Sequence, residues 1–177
     1  VLQQGVDVNL LTFVGQTPLA LAARGDARES AVLLVQHGAD VNARCWMGFT
    51  PLHWAIFNDP DRYWLPLLPG PFHVATFFLE SCDTDPCMAI EAGRFQYQTP
   101  LHQLCGLPED EHTVELIRLL LRRGAGNCAG QAAMIKTPLH LAAMMGSAKL
   151  VKILLQSGMS ADVSRDRGLI SPLLWTC

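Results

Sequence analysis

The tripeptide TPL occurs four times in this chain, at Thr17, Thr50, Thr99 and Thr137, and SPL follows once at Ser171. The intervals are 33, 49, 38 and 34 residues. A recurrence on this scale constrains the fold more than any local propensity, because it marks supersecondary units stacked in a row. After each of the first four copies comes a short apolar segment of helical character, a break, and a second segment rich in Leu and Val. The fifth copy stops at Cys177.

The fourth copy, TPLHLAAMMGSAKLVKILLQSGMSAD at residues 137–162, shows the chemistry of one unit most plainly. Thr137 and Pro138 suit an N-cap and first helical position, where proline's missing N–H is no loss. Leu139, Ala142 and Ala143 give an apolar face, with alanines small enough for a neighbouring helix to close in. Gly146 ends that helix. Leu150, Val151, Leu154 and Leu155 then recur with the spacing of a second amphipathic helix, and Gly158 follows as its stop. Helices this short do not bury their own apolar faces, so the unit must stack on others like it.

GQTPLALAARG, LLVQHGADVNAR, GFTPLHWAI, TPLHQLCG, LIRLLLRRGA and TPLHLAAMMG together resemble the ankyrin-repeat family, whose unit is a β-turn, G-x-TPLHxAA, an antiparallel helix pair and LLxxGADVN. QQGVDVN at residues 3–9 is similar to the tail of an earlier unit. The resemblance implies an all-α solenoid of stacked antiparallel helix pairs with β-turn or hairpin fingers, a single domain over 1–177. Its units fall at a partial repeat 1–14, repeats of about 15–47, 48–96, 97–134 and 135–168, and a partial repeat 169–177. Truncation at both ends, where Leu2 and Leu173–Trp175 would lack stacking neighbours, leads to the expectation of a segment of a longer protein, monomeric within it and aggregation-prone when isolated.

The long third interval holds NDPDRYWLPLLPGPFH at 58–73, part of a run without formal charge between Arg62 and Glu80. A membrane span is excluded for this run: a helix needs about 20 apolar residues to cross, and the internal prolines remove backbone donors that lipid does not replace. Placed in the repeat, about 58–73 is an insertion at the helix–helix turn of the second full repeat. Tyr63, Trp64, Leu65, Leu67, Leu68 and Phe72 are expected to pack on the edge of the stack. A smaller insertion, LPEDEHT, falls at the same turn one repeat later, and its acidic residues read as a solvated edge.

Composition narrows the function. Half the residues are apolar and 16% charged, with a net charge of −3 and no clustering of Lys or Arg. That footprint argues against nucleic acid as partner and against an anionic membrane surface. The six cysteines are irregularly spaced in a chain with no need of staples, so free thiols and an intracellular setting, cytoplasmic or nuclear, are expected. A zinc reading of Cys82, Cys87, His102 and Cys105 has suitable ligand types. It competes with helix positions that the repeat already uses, and no metal is expected. DTD at 83–85 lacks the pattern of a calcium loop. No nucleophile elbow, phosphate-cradling glycine loop or paired-carboxylate signature is present, so the expectation is a non-enzyme without cofactor.

What the resemblance implies about sites is more specific. His53, His102 and His140 take the family's structural histidine position, with a ring hydrogen bond between repeats; Ala20 replaces it in the first full repeat. Asn9 and Asn42, in DVN turns, resemble asparagines that hydroxylating enzymes modify in such proteins, with turn-stabilising hydrogen bonds as the plainer role. Partners of the family lie in the concave groove of fingertips and first helices. Carried over, those positions are Phe13, Val14, Gln16 and Arg24; Trp46, Met47, Phe49, Phe57 and Asn58; Phe95, Gln96 and Gln98; and Met134, Lys136, Met144 and Met145. In the third finger Tyr97, and in the fourth Ile135, stand where a turn glycine belongs. An apolar fingertip set of this kind marks a protein-binding surface, with aromatics as anchors and methionines as adaptable contacts. The expected function is a protein–protein interaction module centred on Trp46, Phe49 and Phe57. The alternative is a regulatory or substrate-recruiting domain of a larger enzyme, channel or receptor, with the groove packed on the parent chain.

Overall fold

A computed structural model describes residues 7–57, 72–131 and 136–159. These form α1 (Pro18–Arg24), α2 (Arg28–Gln36), α3 (Pro51–Ile56), α4 (His73–Ser81), α5 (Pro100–Cys105), α6 (Glu111–Arg122), α7 (Pro138–Met144) and α8 (Ala148–Gln156), with 3-10 turns at Gly93–Phe95 and Ala125–Gln131. Each TPL motif opens an odd-numbered helix. Thr17, Thr50 and Thr137 cap α1, α3 and α7 by accepting the backbone N–H three residues on, and proline takes the first turn. The leucine of the motif turns inward every time: Leu19, Leu52, Leu101 and Leu139 are buried. So are the residues six past each threonine, Ala23, Ile56, Cys105 and Ala143.

The helices form two layers. α1 packs on α3, α3 on α5 and α5 on α7, while α2 lies against α4 and α4 against α6. Each odd helix also packs on its following even one, so every unit is an antiparallel pair stacked on the next. Phe78, Leu116, Ile117, Leu120, Leu150 and Leu154 fill the space between layers. Each such side chain contributes ~1.5–3 kcal/mol by leaving water.

Carboxylates of the short turns tie one pair to the next. Phe72, the N-cap of α4, has no side chain able to accept a hydrogen bond. Asp26, in the turn between α1 and α2, supplies it: its carboxylate accepts Val74 N–H at 2.8 Å and His73 N–H at 3.3 Å. Two pairs further along, in the turn between α5 and α6, Glu109 accepts from the hydroxyl of Ser147, which itself caps α8. Asp110 caps α6 through Thr113 N–H. The acidic run read as a solvated edge is therefore structural at two of its three residues.

The insertion at about 58–73 falls between α3, which ends at Ile56, and α4, which begins at His73. Residues 58–71, with Asn58, Tyr63 and Trp64, lie outside the described residues, as do Leu2, Met134, Ile135 and the 169–177 unit. No helix among the described residues is long and apolar enough to cross a membrane.

Candidate functional site

The first two fingers share one geometry. Thr12 N–H donates to Gln16 O and Gly15 N–H to Thr12 O, each at 2.9 Å; Cys45 N–H donates to Phe49 O at 3.0 Å and Gly48 N–H to Cys45 O at 2.8 Å. Gly15 and Gly48 sit at φ +76° and +83°. Each also meets its neighbour closely. A Cβ on Gly15 would stand 2.6 Å from the Trp46 ring, and one on Gly48 2.6 Å from Glu91 N. The fingers thus stack tip on tip, and Met47 O accepts Glu91 N–H at 3.0 Å. Arg44 reaches across to the Glu91 carboxylate and to Ala89 O.

The third finger is longer. Its closing pair is Ile90 with Gln98 and Tyr97, so the 3-10 turn of Gly93–Phe95 is accommodated inside the hairpin. Tyr97 occupies the place of Gly15 and Gly48 and adopts their backbone, at φ +68°. For a residue with a Cβ that conformation costs ~1–2 kcal/mol.

The apolar fingertip set divides by register. Residues three and four before the threonine point outward in the first two repeats: Phe13 is 87% exposed, Trp46 70%, and Val14 and Met47 are exposed as well. The residue directly before it turns in. Phe49 is 4% exposed and Gln16 8%, so neither lies open at the fingertip as expected. Phe49 packs in an aromatic cluster, its ring centroid 4.9 Å from Trp54 and 6.1 Å from Phe57, with Phe57 in turn 4.9 Å from Phe95. Phe57, Phe95, Gln96 and Gln98 are half-buried in this region, so of the expected centre at Trp46, Phe49 and Phe57 only Trp46 stands open. Arg24 and Lys136 are half-buried, and Lys136 Nζ lies 3.2 Å from Met144 Sδ. Met144 and Met145 end α7 exposed. Sequence reasoning missed five exposed leucines, Leu10, Leu11, Leu21, Leu33 and Leu155. Leu21 was legible in register, since it occupies the x of TPLHxAA, four residues past the threonine.

The histidines serve the caps. His53 Nδ1 accepts Thr50 N–H at 3.2 Å and lies 2.8 Å from Thr50 Oγ1; His102 and His140 repeat this on Thr99 and Thr137. Nδ1 as acceptor puts the ring proton on Nε2. Burial pushes His53 down to about 3, opposed in part by the Gln98 and Met88 backbone of the next unit. Burial likewise pushes His102 down to about 4. Nε2 of His53 and of His102 is buried without a close hydrogen-bond partner among the described residues, while the Gln98 and Met88 backbone of the next unit still acts on the His53 ring.

Asn9 and Asn42 do bridge units. Asn9 donates to Gly38 O at 3.4 Å and accepts Asp40 N–H at 2.9 Å; Asn42 donates to Asp83 O and accepts Asp85 N–H, both at 2.9 Å. Cys87 and Cys128 are joined in a disulfide with Cα atoms 5.2 Å apart, which corrects the expectation of six free thiols. Pairing is possible because adjacent turns bring their backbones within the Cα separation that a disulfide spans. Cys45, Cys82 and Cys105 are free and buried. Burial raises Cys82 and Cys105, with Arg123 opposing the shift at Cys82. The four residues of the zinc reading are not brought together: Cys87 is bonded to Cys128 and His102 to Thr99. Among the described residues no cluster of His, Cys, Asp or Glu could hold a metal ion.

A family model described as ankyrin repeats, in three copies, matches residues 1–65 and 70–166. Comparison with curated proteins returned no match. Repeats of this kind are generally protein–protein interaction modules, and their extended concave surfaces serve that use. With the match spanning most of its length and its described helices stacked in antiparallel pairs, the chain belongs to the ankyrin-repeat family.

Proposed function

We propose that the chain is a non-enzymatic interaction module that binds a polypeptide partner along its fingertips, with Phe13, Trp46 and Met47 as the principal contacts. The observation that carries this reading is the outward projection of Phe13 and Trp46 on consecutive fingers of one fixed geometry. Large apolar side chains held on rigid backbone lose little entropy on binding, and their desolvation favours association. Val14 and Leu21 extend the surface, and Met144 and Met145 add adaptable contacts further along the stack. The net charge of −3 supports a polypeptide over nucleic acid. The same reading includes a cytoplasmic or nuclear setting, to which the Cys87–Cys128 disulfide is an exception that has to be explained, and a monomeric stack.

The test is affinity capture with mass spectrometry, comparing the wild-type chain with the double variant Phe13→Asp, Trp46→Asp. Both side chains are exposed, so circular dichroism should be unchanged. Loss of a defined set of captured polypeptides supports the reading. An unchanged set removes the fingertips from function.

A further inference from the structure

Three successive turns between units carry one repeated device. Asp7, Asp40 and Asp85 each accept, through the carboxylate, the backbone N–H two residues on: Asn9, Asn42 and Cys87, at 2.9, 2.9 and 2.8 Å. Cys87 is therefore the third member of the series whose first two members are the bridging asparagines. Each asparagine spans to the next unit with a pair of hydrogen bonds. At the third junction Cys87 stands in the place of the asparagine and spans to Cys128 of the next unit through sulfur instead.

We propose that Cys87–Cys128 is a redox-sensitive form of this inter-repeat clamp, made and broken by exchange with a small-molecule disulfide and thiol such as glutathione. The chemistry follows the burial of the two residues. Cys87 is half-exposed and Cys128 fully buried. The Cys87 thiolate attacks one sulfur of the small-molecule disulfide, forming a mixed disulfide and releasing one thiol. Cys128, deprotonated, then displaces the second small thiol from Cys87, closing the protein disulfide. Two protein thiols are oxidised and one small disulfide is reduced to two thiols, so atoms and electrons balance. In the reverse direction the small thiolate reaches Cys87 first, and Cys128 leaves; its sulfur lies 3.6 Å from Gly124 O, an acceptor for the restored S–H. The junctions at Asn9 and Asn42 keep their clamps under all conditions. Only the third loosens on reduction, which separates the fingertip surface of the first two repeats from the α7 end of the stack.

The test equilibrates the full 177-residue chain in glutathione buffers from fully reduced to fully oxidised, followed by peptide mapping and thermal unfolding. The expected result is a Cys87–Cys128 peptide that rises and falls reversibly with the ratio, and a Tm lower by roughly 10 °C when reduced. Hydrogen exchange should quicken on reduction at residues 83–91 and 124–128 and stay fixed at 38–42. Cys87→Asn should abolish the redox response and, by restoring a carboxamide, melt above the reduced wild type. Cys87→Ser, which shortens the side chain without restoring the clamp, should match the reduced wild type. The proposal is overturned if the linked peptide never forms, if it persists in the fully reduced buffer, or if Tm and exchange are the same in both states. A Cys87→Asn chain no more stable than Cys87→Ser would overturn the equivalence with the asparagine clamps.

Discussion

Mild acid should weaken this stack through two buried imidazoles. His53 and His102 are held neutral in the fold, pushed down to about 3 and about 4, whereas an imidazole in the unfolded chain titrates near about 6.5. Between those values the unfolded state binds more protons than the folded one. Stability is thus fully present above about pH 6.5 and falls as pH drops toward the folded values. Each histidine contributes a slope of ~1.4 kcal/mol per pH unit inside that window. Between about pH 7.5 and about pH 5.5 only the lower unit counts in full, so each histidine removes ~1.4 kcal/mol and the pair ~2.7 kcal/mol. Ordinary carboxylates titrate at about 4 and stay out of that interval. The assay is urea unfolding followed by circular dichroism at both pH values in reducing buffer. His53→Ala is the control, because Ala20 already stands at the same place beneath the Thr17 cap. The variant should lose about half of the wild-type pH dependence. If its stability falls with pH as steeply as the wild type's, the burial argument for His53 is wrong.

Three further expectations concern the backbone and its caps. Tyr97→Gly relieves a left-handed tyrosine at φ +68° and should raise stability by ~1 kcal/mol in urea titrations, since glycine adopts that backbone without a steric penalty. Gly48→Ala meets both a positive φ and a Cβ 2.6 Å from Glu91 N; a loss of about 2 kcal/mol or more is expected, with amide exchange quickening at Glu91 and Ala92. Asp26→Ala removes the acceptor for His73 and Val74 N–H and should cost ~1–2 kcal/mol by chemical denaturation, whereas Asp26→Asn, which keeps an oxygen there, should stay within ~0.5 kcal/mol of wild type.

What was legible in the sequence was what the chain decides locally. Thr17, Thr50 and Thr137 cap helices because a hydroxyl and a following proline suffice, whatever packs around them. The buried leucine of each motif follows from helical period alone. The fingertips were read less well. Phe13, Val14, Trp46 and Met47 project as their register implies, but Phe49 and Gln16 turn inward. Their direction is set by the hairpin bonds Cys45–Phe49 and Thr12–Gln16 and, for Phe49, by Trp54, which composition does not distinguish from any other apolar residue. The disulfide was harder still. Cys87 and Cys128 are 41 residues apart, and their phase shows only once the Asp85 turn is matched to Asp40 and Asp7. Counting from α4 fails there, because Cys82 runs extended at φ −119° and Thr84 takes up the Phe78 carbonyl before the turn begins.

The claim that the fingertips bind polypeptide is tested most directly by a photo-crosslinking residue placed at Met47, with a second chain carrying it at Leu33 as reference. Both positions are exposed and apolar, but Leu33 lies on α2, away from the fingers. Illumination in cells should give crosslinks from position 47 to a separate polypeptide, absent at position 33 and lost in Phe13→Asp. Crosslinks from position 47 confined to the chain's own residues, or matched at position 33, would contradict the account.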